Sequence, residues 1–384
     1  MNSAQSVDDF IVKHAKKSTA ELALLLSKNQ ELPKEYIINQ INGKQKASNK
    51  FPFLSQFPQF IFPSPRALSQ ASSEKTARYK AAILKANSVL DLSGGMGMDS
   101  YFFAQHAKHS DYVELNEKLV DTAKSNFDTL KVSNLTCHCA KAEEFVEKTT
   151  DNYDLVYLDP DRRSAKEKAF AIDDCEPNIA TLLPQIWKKS KHCLVKLSPM
   201  LDIQQALTQL PFCKEVHVVS VDNDCKELLF LLEHNFENEP LVKCVNLHKT
   251  GEDYFEFYVK EERNASVYFS DVETYLYEPN SAVMKAGAFK ILGQQFDLKK
   301  LATNTHLYTS TEIQENFPGR RMKVLEVSKP KKGLIQQANV VCRNFSMKPE
   351  HLKKKYNIKD GGSQFLYAFS LEDGSKKFVL GELV

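Results

Sequence analysis

The stretch VLDLSGGMGMDSYFFAQH, from Val89 to His106, decides the fold. Its apolar residues end at Asp91, a glycine-rich turn follows, and a helix is predicted to begin near Met98. In open α/β sheets, ligands bind at the carboxyl ends of strands. Glycines let a backbone approach such a ligand closely, and this turn contains three of them, Gly94, Gly95 and Gly97. The stretch therefore predicts a nucleotide-like ligand over the turn.

The chain around this turn alternates short apolar runs with helical stretches. The runs are SVLDLS, DYVEL, LTCHC, YDLVYLD, HCLVKLS and EVHVVSV. Strands that alternate with helices predict a parallel sheet covered on both faces. EVHVVSV and KELLFLLEH are separated only by DNDC, so we expect these two strands to form an antiparallel hairpin at an edge.

The segments on either side of this core have different patterns. Residues 6–47 predict short amphipathic helices, and residues 51–70 form a Pro- and Phe-rich connector. The next helix, SSEKTARYKAAIL, has Ser72 or Ser73 as its cap. Beyond residue 235 we expect a hairpin in LVKCVNLHKTGEDYFEFYV, a packed amphipathic helix in VMKAGAFKIL, and then short strands with one helical piece. The carboxyl-terminal region is thus predicted to be α+β.

Composition limits the class of protein. The chain has 384 residues, 42% apolar and 26% charged, which are ordinary globular values. No apolar run approaches the length of a membrane span, and the amino terminus MNSAQSVDDFIVKH lacks the pattern of a signal peptide. The eight cysteines are scattered without a CxxC, which favours reduced thiols over disulfides or a zinc site. We therefore expect a cytoplasmic protein with no metal site and no membrane partner.

The type of nucleotide follows from the residues around the turn. The stretch lacks the third glycine of a G-x-G-x-x-G dinucleotide site. Asp91 directly before the turn would repel a pyrophosphate but would attract an amino group. About twenty residues later the second strand ends at Glu114, which can accept hydrogen bonds from ribose hydroxyls. The turn thus suits a nucleoside that bears an amino acid.

These residues resemble a known family. DLSGGMG resembles motif I of the class I S-adenosylmethionine-dependent methyltransferases, which have a Rossmann-like sheet, and Glu114 matches their ribose-binding acid. LDPDRR resembles the motif that follows their fourth strand. DPDRR, VKLSPMLD, DNDCKELL and YEPNSAVMKAGAF together resemble a bacterial group with a carboxyl-terminal THUMP-like module. The resemblance spans roughly residues 70–384 and implies S-adenosylmethionine as cofactor.

With this resemblance we divide the chain into four regions. These are a helical region (1–75), a methyltransferase domain (76–236), a ferredoxin-like module (237–312) and a THUMP-like basic module (313–384). The cofactor-binding residues that the resemblance implies are Asp91, Ser93, Gly94, Gly95, Gly97, Glu114, Leu115, Ala142 and Glu143. The sequence departs from the family pattern in three places, one of which is Asp161 at the second Pro of the fourth-strand motif. Ser93 replaces the usual first glycine, and Lys141 stands where relatives place an adenine-binding Asp, so Glu143 or a backbone group is expected to substitute.

The stretch VYLDPDRRS, from Val156 to Ser164, has two interpretations. Asp-Pro is ordinary turn chemistry that closes a strand. Alternatively the strand delivers Asp159 into a cleft, where its carboxylate accepts a hydrogen bond from a target N–H. The resemblance favours the second interpretation and implies four catalytic-site residues: Asp159, Pro160, Asp161 and Arg162.

Three further residues are substrate candidates: Arg163, Lys196 and Ser198. Arg163 could hold a phosphate of a flipped nucleotide, or it could serve structure alone. Lys196 could line the pocket, or it could simply pair with a nearby acid. The stretch VKLSPM offers Ser198 where carbon methylation would need a cysteine, so the sequence favours nitrogen or oxygen as the target.

Charge is distributed unevenly along the chain. Residues 1–80 carry 12 basic and 6 acidic side chains, residues 81–299 carry 24 and 35, and residues 300–384 carry 15 and 8. Basic ends around an acidic middle suit a polyanion. The carboxyl-terminal basic residues of interest are Arg320, Arg321, Lys331, Lys332, Lys353, Lys354 and Lys355. A solvated lysine-rich surface is the alternative explanation.

The functional prediction is an S-adenosylmethionine-dependent methyltransferase acting on a nitrogen of a structured RNA such as tRNA or rRNA. Two alternatives stay open at this point. One is a non-catalytic module that keeps the fold and binds RNA or protein, favoured by Lys141. The other is a methyltransferase for protein or a small molecule. The sequence leaves the oligomeric state open.

Overall fold

The structure is a computed structural model that describes residues 3–29, 31–162 and 175–384. Arg163 lies outside the described residues, as does the side chain of Arg162. The chain forms two compact units, Met1–Cys213 with Phe230–Phe236, and Lys214–Leu229 with Glu237–Val384. Among the described residues, no helix combines the length and the apolar character needed to cross a bilayer.

The first unit contains most of the helices and the parallel strands. Its helices are α1 (Ser3–Lys13), α2 (Thr19–Ser27), α3 (Lys34–Lys50), the short 3₁₀ helix Pro52–Gln56, α4 (Pro65–Gln70), α5 (Glu74–Ile83), α6 (Met98–Ala104), α7 (Glu117–Thr129), α8 (Ala142–Lys148), α9 (Ile179–Ile186) and α10 (Ile203–Gln209). Its strands are β1 (Ser88–Asp91), β2 (His109–Glu114), β3 (Leu135–Cys139), β4 (Leu155–Leu158), β5 (Asp161–Arg162), β6 (Cys175–Glu176) and β7 (His192–Leu197).

The remaining elements follow β7 and α10 along the chain. The strands are β8 (Cys213–Val221), β9 (Asp224–Glu233), β10 (Leu241–His248), β11 (Gly251–Tyr258), β12 (Tyr275–Pro279), β13 (Lys299–Ala302), β14 (Thr305–Ser310), β15 (Gly319–Ser328), β16 (Asn339–Arg343), β17 (Gln364–Ser370) and β18 (Lys376–Leu383). The helices are α11 (Val259–Asn264), α12 (Ser281–Ala286), α13 (Lys290–Gln295) and α14 (Pro349–Tyr356).

The predicted α/β sheet is confirmed. Nine strands form it in the order β11-β10-β8-β9-β7-β4-β1-β2-β3. The strands β7, β4, β1, β2 and β3 pair in parallel, so their carboxyl ends lie on one edge. The chain builds outward from β1 to β2 and β3 on one side and to β4 and β7 on the other. The β1–β4 boundary is therefore the topological switch point, where α/β sheets bind ligands.

The helical amino-terminal region packs around its own apolar cluster, which consists of Ile11, Leu22, Leu26, Ile37 and Ile41. Helix α2 begins with a capping box, because Ser18 accepts from the Glu21 amide while the Glu21 carboxylate accepts from the Ser18 amide. This region lies in the same compact unit as the parallel strands.

The Pro- and Phe-rich connector is held by side chains that bond its backbone. The Asn126 side chain accepts from the amide of Ile61 and donates to its carbonyl, both at 2.8 Å. Gln40 makes the same two contacts with Phe62 at 3.2 and 3.1 Å. The Phe53 ring stacks on Tyr101 of α6 at 5.4 Å. The connector is therefore an integral part of the unit that contains the parallel strands.

The hairpin predicted for β8 and β9 is confirmed, but its expected position at an edge was wrong, because β10 and β11 extend the sheet beyond β8. Asp222 and Asn223 connect β8 to β9, and both have positive φ angles, 49° and 65°. Two consecutive positive φ values are the requirement of a type I′ turn, which matches the twist of the strands. The hairpin of β10 and β11 is confirmed too, but β10 pairs in parallel with β8 and extends the same sheet.

The second sheet has seven strands in the order β13-β14-β12-β15-β18-β17-β16. Helix α14 packs on one face through the cluster that contains Leu352, Leu366 and Phe378. The single helix predicted for VMKAGAFKIL was wrong, because α12 ends at Ala286 and Gly287 takes a φ of 73°. Glycine adopts this left-handed conformation without cost and ends helices in this way. The chain then starts again as α13.

Candidate functional site

The carboxyl edge of the parallel strands gathers most of the predicted site residues. The turn from Leu92 to Gly97 follows β1, Glu114 ends β2, and Ala142 begins the helix after β3. Asp159 follows β4, and Ser198 follows β7. Because all five strands run parallel, residues far apart in the sequence meet on one edge within the first unit.

The glycine turn is shaped by packing and by backbone conformation. Gly95 and Gly97 have φ angles of 53° and 84°. A Cβ on Gly94 would lie 2.2 Å from the Tyr112 ring, and one on Gly97 would lie 2.7 Å from the Phe127 ring. A Cβ on Gly95 would meet no atom closer than 3.7 Å, so the space beside this residue is open. Glycine is needed at 94 and 97 for packing and at 95 for backbone conformation.

Asp91 lies beneath the turn rather than on its surface. One carboxylate oxygen accepts from the Ser93 amide at 2.9 Å and from its hydroxyl, and the other accepts from Ser100 Oγ at 2.5 Å. Burial raises the pKa of the Asp91 carboxyl to about 7, against the effect of these donors. Asp91 therefore fixes the shape of the turn, and its contact with an amino group stays a prediction.

Glu114 connects the end of β2 to the glycine turn. Its Oε2 accepts from the Gly95 amide at 3.0 Å, and its Oε1 accepts from the Asn116 amide at 2.8 Å. Each carboxylate oxygen can accept a further hydrogen bond, so the group can still bind ribose hydroxyls. Leu115 beside it is 62% exposed, a position suited to covering a flat ring.

The region after β3 places its candidates at the start of α8. Lys141 is exposed and occupies the cap position without making a side-chain cap hydrogen bond. Ala142 is buried, and Glu143 is half-buried in the first turn. A lysine at this position supplies no acceptor for an adenine amino group, which leaves Glu143 and backbone groups as the predicted partners.

Asp159 is held at two points. The Ser93 hydroxyl accepts from its amide at 2.7 Å, so the serine that replaces the family glycine joins the two loops. Lys196 Nζ lies 2.5 Å from Asp159 Oδ2, with the two side chains 14% and 31% exposed. Burial raises the pKa of the Asp159 carboxyl, and Lys196 opposes this rise. Of the two interpretations of Lys196, the structure shows the pairing, and the acid it pairs with is Asp159.

The residues after Asp159 are organised by a partner that the sequence did not predict. Gln70, at the end of α4, donates to both carboxylate oxygens of Asp161 at 3.0 and 3.1 Å. Asp161 also pairs with Glu176 in the short β5–β6 ladder. Pro160 between the two acids is half-buried. Ser198 is half-buried in the turn after β7, where its hydroxyl accepts from the Met200 amide at 3.3 Å.

A buried charge network was missed by the sequence analysis. Lys80 is fully buried, and its Nζ lies 3.3 Å from Asp99 Oδ1 and 2.9 Å from Ser72 Oγ. Asp99 Oδ2 accepts from Ser72 Oγ at 2.7 Å and from the Tyr157 hydroxyl at 3.0 Å. Coulombic attraction to Lys80, together with Lys196, overcomes burial and lowers the pKa of Asp99. One signal was available, because Lys80 falls on the apolar face of α5 with Thr76 and Ala77.

Two family models match the carboxyl-terminal part of the chain. A ferredoxin-like domain matches residues 275–318, and a THUMP domain-like model matches residues 309–382. The second sheet is built mainly by these residues.

Comparison with whole proteins extends the match to the complete chain. One similar protein is a candidate methyltransferase from Porphyromonas gingivalis W83, whose crystal structure is known. The match covers 100% of this chain and 99% of that protein, with 29% sequence identity and a TM-score of 0.89. An uncharacterized S-adenosylmethionine-dependent methyltransferase of Mycobacterium tuberculosis (strain H37Rv) is 20% identical over 310 residues, 78% of this chain and 82% of its own. The chain is therefore similar over most of its length to S-adenosylmethionine-dependent methyltransferases, and its carboxyl-terminal part matches ferredoxin-like and THUMP-like domains.

A shorter match concerns only part of this methyltransferase. The tRNA1(Val) (adenine(37)-N6)-methyltransferase of Flavobacterium psychrophilum is 36% identical over 76 residues, which are 19% of this chain and 32% of that protein. An uncharacterized RNA methyltransferase of Staphylococcus aureus (strain N315) is 31% identical over 141 residues, 34% of this chain and 31% of its own.

S-adenosylmethionine is the cofactor that these relatives indicate, and the residues at the glycine turn fit it. The fit rests on the open space beside Gly95 and on the Glu114 carboxylate that adjoins it. A side chain at 95 would occupy that space. We predict that Glu114 holds the ribose and that the backbone of Gly94 to Gly97 faces the amino-acid part.

Proposed function

We propose that this methyltransferase methylates a nitrogen of a structured RNA, either tRNA or rRNA. The observation that carries the proposal is the placement of the Asp159 carboxylate. It follows the strand next to the cofactor strand and is held by Lys196 at 2.5 Å and through its own amide by Ser93 at 2.7 Å. A carboxylate fixed in this way can orient an N–H of an acceptor.

Methyl transfer requires the protein mainly to position the acceptor nitrogen and to accept one proton from it. S-adenosylmethionine supplies a methyl group already activated by its sulfonium. Asp159 accepts a hydrogen bond from the target N–H and takes its proton as the nitrogen becomes positively charged. Within the described residues, Asp159 Oδ1 accepts no hydrogen bond, so this oxygen is available to a substrate. Pro160 restricts the loop that carries the carboxylate.

Lys196 acts through Asp159 in this proposal. Its ammonium is 14% exposed and keeps the Asp159 carboxylate in one orientation. Because burial raises the pKa of Asp159, the carboxylate is a better proton acceptor than a fully solvated one. Lys196 opposes that rise by favouring the ionised carboxylate.

Nitrogen is favoured over carbon by the state of two candidate thiols, Cys193 and Cys225. Carbon methylation of a pyrimidine needs a thiolate nucleophile. Cys193 begins β7 but is fully buried, and burial raises the pKa of its thiol. Burial also raises the pKa of Cys225 after the hairpin turn. Both thiols are therefore poor nucleophiles.

RNA is favoured over other substrates by the carboxyl-terminal module and by charge. Residues 309–382 match a THUMP domain-like model, and residues 300–384 carry 15 basic and 8 acidic side chains. A basic surface of this kind holds phosphates without reading bases. Two partial relatives are named for methylation of RNA, one of them at an adenine N6.

The test is the transfer of a labelled methyl group. The full-length protein is incubated with labelled S-adenosylmethionine and with separate RNA, DNA and protein fractions of one bacterial cell type. We expect label in RNA that resists protease and is released by nuclease, in the form of an N-methylated nucleoside. Label confined to the protein fraction, or a 5-methylpyrimidine as the product, would contradict the proposal.

A further inference from the structure

A buried carboxylate in the second unit is shared by two arginines. Glu278 on β12 is 6% exposed, and its Oε2 accepts from the Tyr367 hydroxyl at 2.7 Å and from Arg320 Nη1 at 3.2 Å. Its Oε1 forms an ion pair with Arg343 Nη2. The two arginines come from different strands, β15 and β16, and converge on one acid.

The charges of this group do not balance. Two guanidinium groups face one carboxylate, which leaves one positive charge. The side chains of Arg320 and Arg343 are 44% and 45% exposed, so their remaining N–H groups reach solvent. The ring of Phe365 lies 5.8 Å from the Arg320 guanidinium. The buried acid therefore holds two cations close together at a surface, where like charges would otherwise repel.

Three other basic residues of the same region show a different pattern. Arg321, the next residue along β15, pairs with Glu315 one to one, and Lys331 pairs with Glu326 at 2.7 Å. Lys353 contacts two acids, Glu350 and Asp360, both at 3.1 Å. Within the described part of this module, these three cations are neutralised by their own acids. The Arg320–Arg343 pair carries excess charge at a defined position.

We propose that Arg320 and Arg343, held on Glu278, bind one phosphate group of an RNA backbone. The inference deepens the proposed function, because it names a contact of the RNA substrate class. Planar guanidinium forks match phosphate oxygens in a bidentate manner, and a phosphate supplies the missing negative charge. Glu278 fixes both side chains before binding, which reduces the conformational entropy lost on complex formation. The basic excess of residues 300–384 favours a polyanion over an isolated phosphate.

The experiment measures binding of bulk bacterial tRNA to the full-length protein between roughly 50 and 200 mM monovalent salt. The test variant is Arg320→Gln with Arg343→Gln, and the matched control is Arg321→Gln. Because the double variant lacks the charged hydrogen bonds to phosphate, we expect its affinity for tRNA to be about ten- to hundredfold lower than that of the wild type. The slope of log affinity against log salt should fall by about one for each phosphate that the variant no longer binds. Arg321→Gln should leave both quantities as in the wild type.

Equal melting temperatures of the variants exclude misfolding as the cause. If the double variant does not fold, Arg343→Lys keeps the charge but removes the fork, and the proposal then requires lower affinity with an unchanged salt slope. An unchanged affinity and slope in a folded double variant would overturn the site, and an equally weakened affinity in Arg321→Gln would do the same. Both of these outcomes are independent of the methyl-transfer assay, which tests the proposed function. The two proposals can also fail separately. If the labelled methyl group appears in protein while the double variant binds tRNA more weakly than the wild type, the proposed function is wrong and the phosphate site is supported.

Discussion

Lys196 Nζ lies 2.5 Å from Asp159 Oδ2, at the carboxyl ends of two adjacent parallel strands. The contact places a cation against the carboxylate that is proposed to receive the acceptor's proton. It also opposes the effect of burial, which raises the pKa of Asp159. In the proposed mechanism this pair is the chemical centre of the site.

The first prediction concerns Asp159 itself. Asp159→Ala should leave cofactor binding nearly intact and reduce methyl transfer by about two to four orders of magnitude, the range of a positioned acid–base group. Asp159→Asn should be less damaging if hydrogen bonding dominates and equally damaging if proton transfer dominates. Turnover and melting temperature are measured on the same preparations.

A matched control for this prediction lies at the other end of the same strand. Asp154 precedes β4, and its carboxylate accepts from the Asn87 amide at 2.6 Å. Asp154→Asn should lower stability slightly and preserve turnover per folded molecule. Preserved turnover in Asp159→Ala, with lowered melting temperature, would instead indicate that Asp159 only closes a turn.

The second prediction concerns cofactor binding at the glycine turn. S-adenosylhomocysteine should stabilise the protein by about 2.7 kcal/mol at a hundredfold excess over its Kd. Gly95→Val should abolish the thermal shift, because the side chain fills the open space beside Glu114. Gly333→Val is the control, since Gly333 has a φ of 77° with no atom within 4 Å of its Cβ position. That variant carries similar backbone strain and should keep the shift.

The third prediction concerns the buried Lys80. Lys80→Met leaves the Asp99 carboxylate buried without its cation, so unfolding free energy should fall by about 3–5 kcal/mol. Adding Asp99→Asn should restore part of that stability, which chemical denaturation would detect as a coupling in the double-mutant cycle. On the same helix, Arg78 makes a more exposed pair with Glu74 at 2.9 Å. Arg78→Met should cost less than about 1 kcal/mol, and equal destabilisation at 78 and 80 would contradict the network.

The fourth prediction is a pH dependence that arises from Asp91. The pKa of its carboxyl is raised to about 7 in the folded protein, against about 3.9 in an unfolded chain. Between these values the folded state binds more protons, so the Asp91 contribution to stability falls as pH rises. Asp91→Asn resembles the protonated form and does not titrate. Its stability relative to the wild type should therefore increase between about pH 5 and 7, by at most about 1.4 kcal/mol per pH unit.

Thermal melts of both proteins across this range provide the measurement. A difference between them that stays flat with pH would mean that the donors Ser93 and Ser100 keep the carboxylate ionised throughout.

The fifth prediction concerns the three lysines at the end of α14. Lys353 is engaged by Glu350 and Asp360, whereas Lys355 lies over the Tyr356 ring at 5.6 Å. If this helix contributes to RNA binding, Lys354→Ala with Lys355→Ala should flatten the salt dependence of affinity. Lys353→Ala should change it little, because its charge is already neutralised. A larger effect of Lys353→Ala than of the Lys354→Ala and Lys355→Ala pair would show that ion pairing with acids does not determine how much each lysine contributes to RNA binding.

Sequence patterns predicted the fold well where a residue's role depends on its own neighbours. The parallel strands were predictable because each is a short apolar run, and the hairpin because DNDC supplies a turn. The division at Gly287 was not, since a glycine inside an apolar helical pattern can either continue the helix or end it. The positive φ of Gly287 ends α12, and the apolar pattern carries no sign of it.

The site followed the same rule. The shared position of Gly95, Glu114 and Asp159 was predictable, because each lies at or shortly after the end of a parallel strand and such ends meet on one edge. The partners were not predictable, because they depend on contacts between distant segments. Gln70 and Asp161 are 91 residues apart, and Ser72 and Asp99 are 27 apart. Lys196 was a candidate, but only the packing of β7 beside β4 shows which acid it meets.

The connection of Gln70 and Ser72 to Asp161 and Asp99 has a consequence for evolution and for protein engineering. A truncated protein that begins at about residue 76 would contain the glycine turn and Asp159 but would lack Gln70 and Ser72. It would also expose the rings that Phe53 covers on α6. We therefore expect the amino-terminal region and the parallel strands to fold as one piece, and recombination that separates the two should yield aggregation-prone fragments.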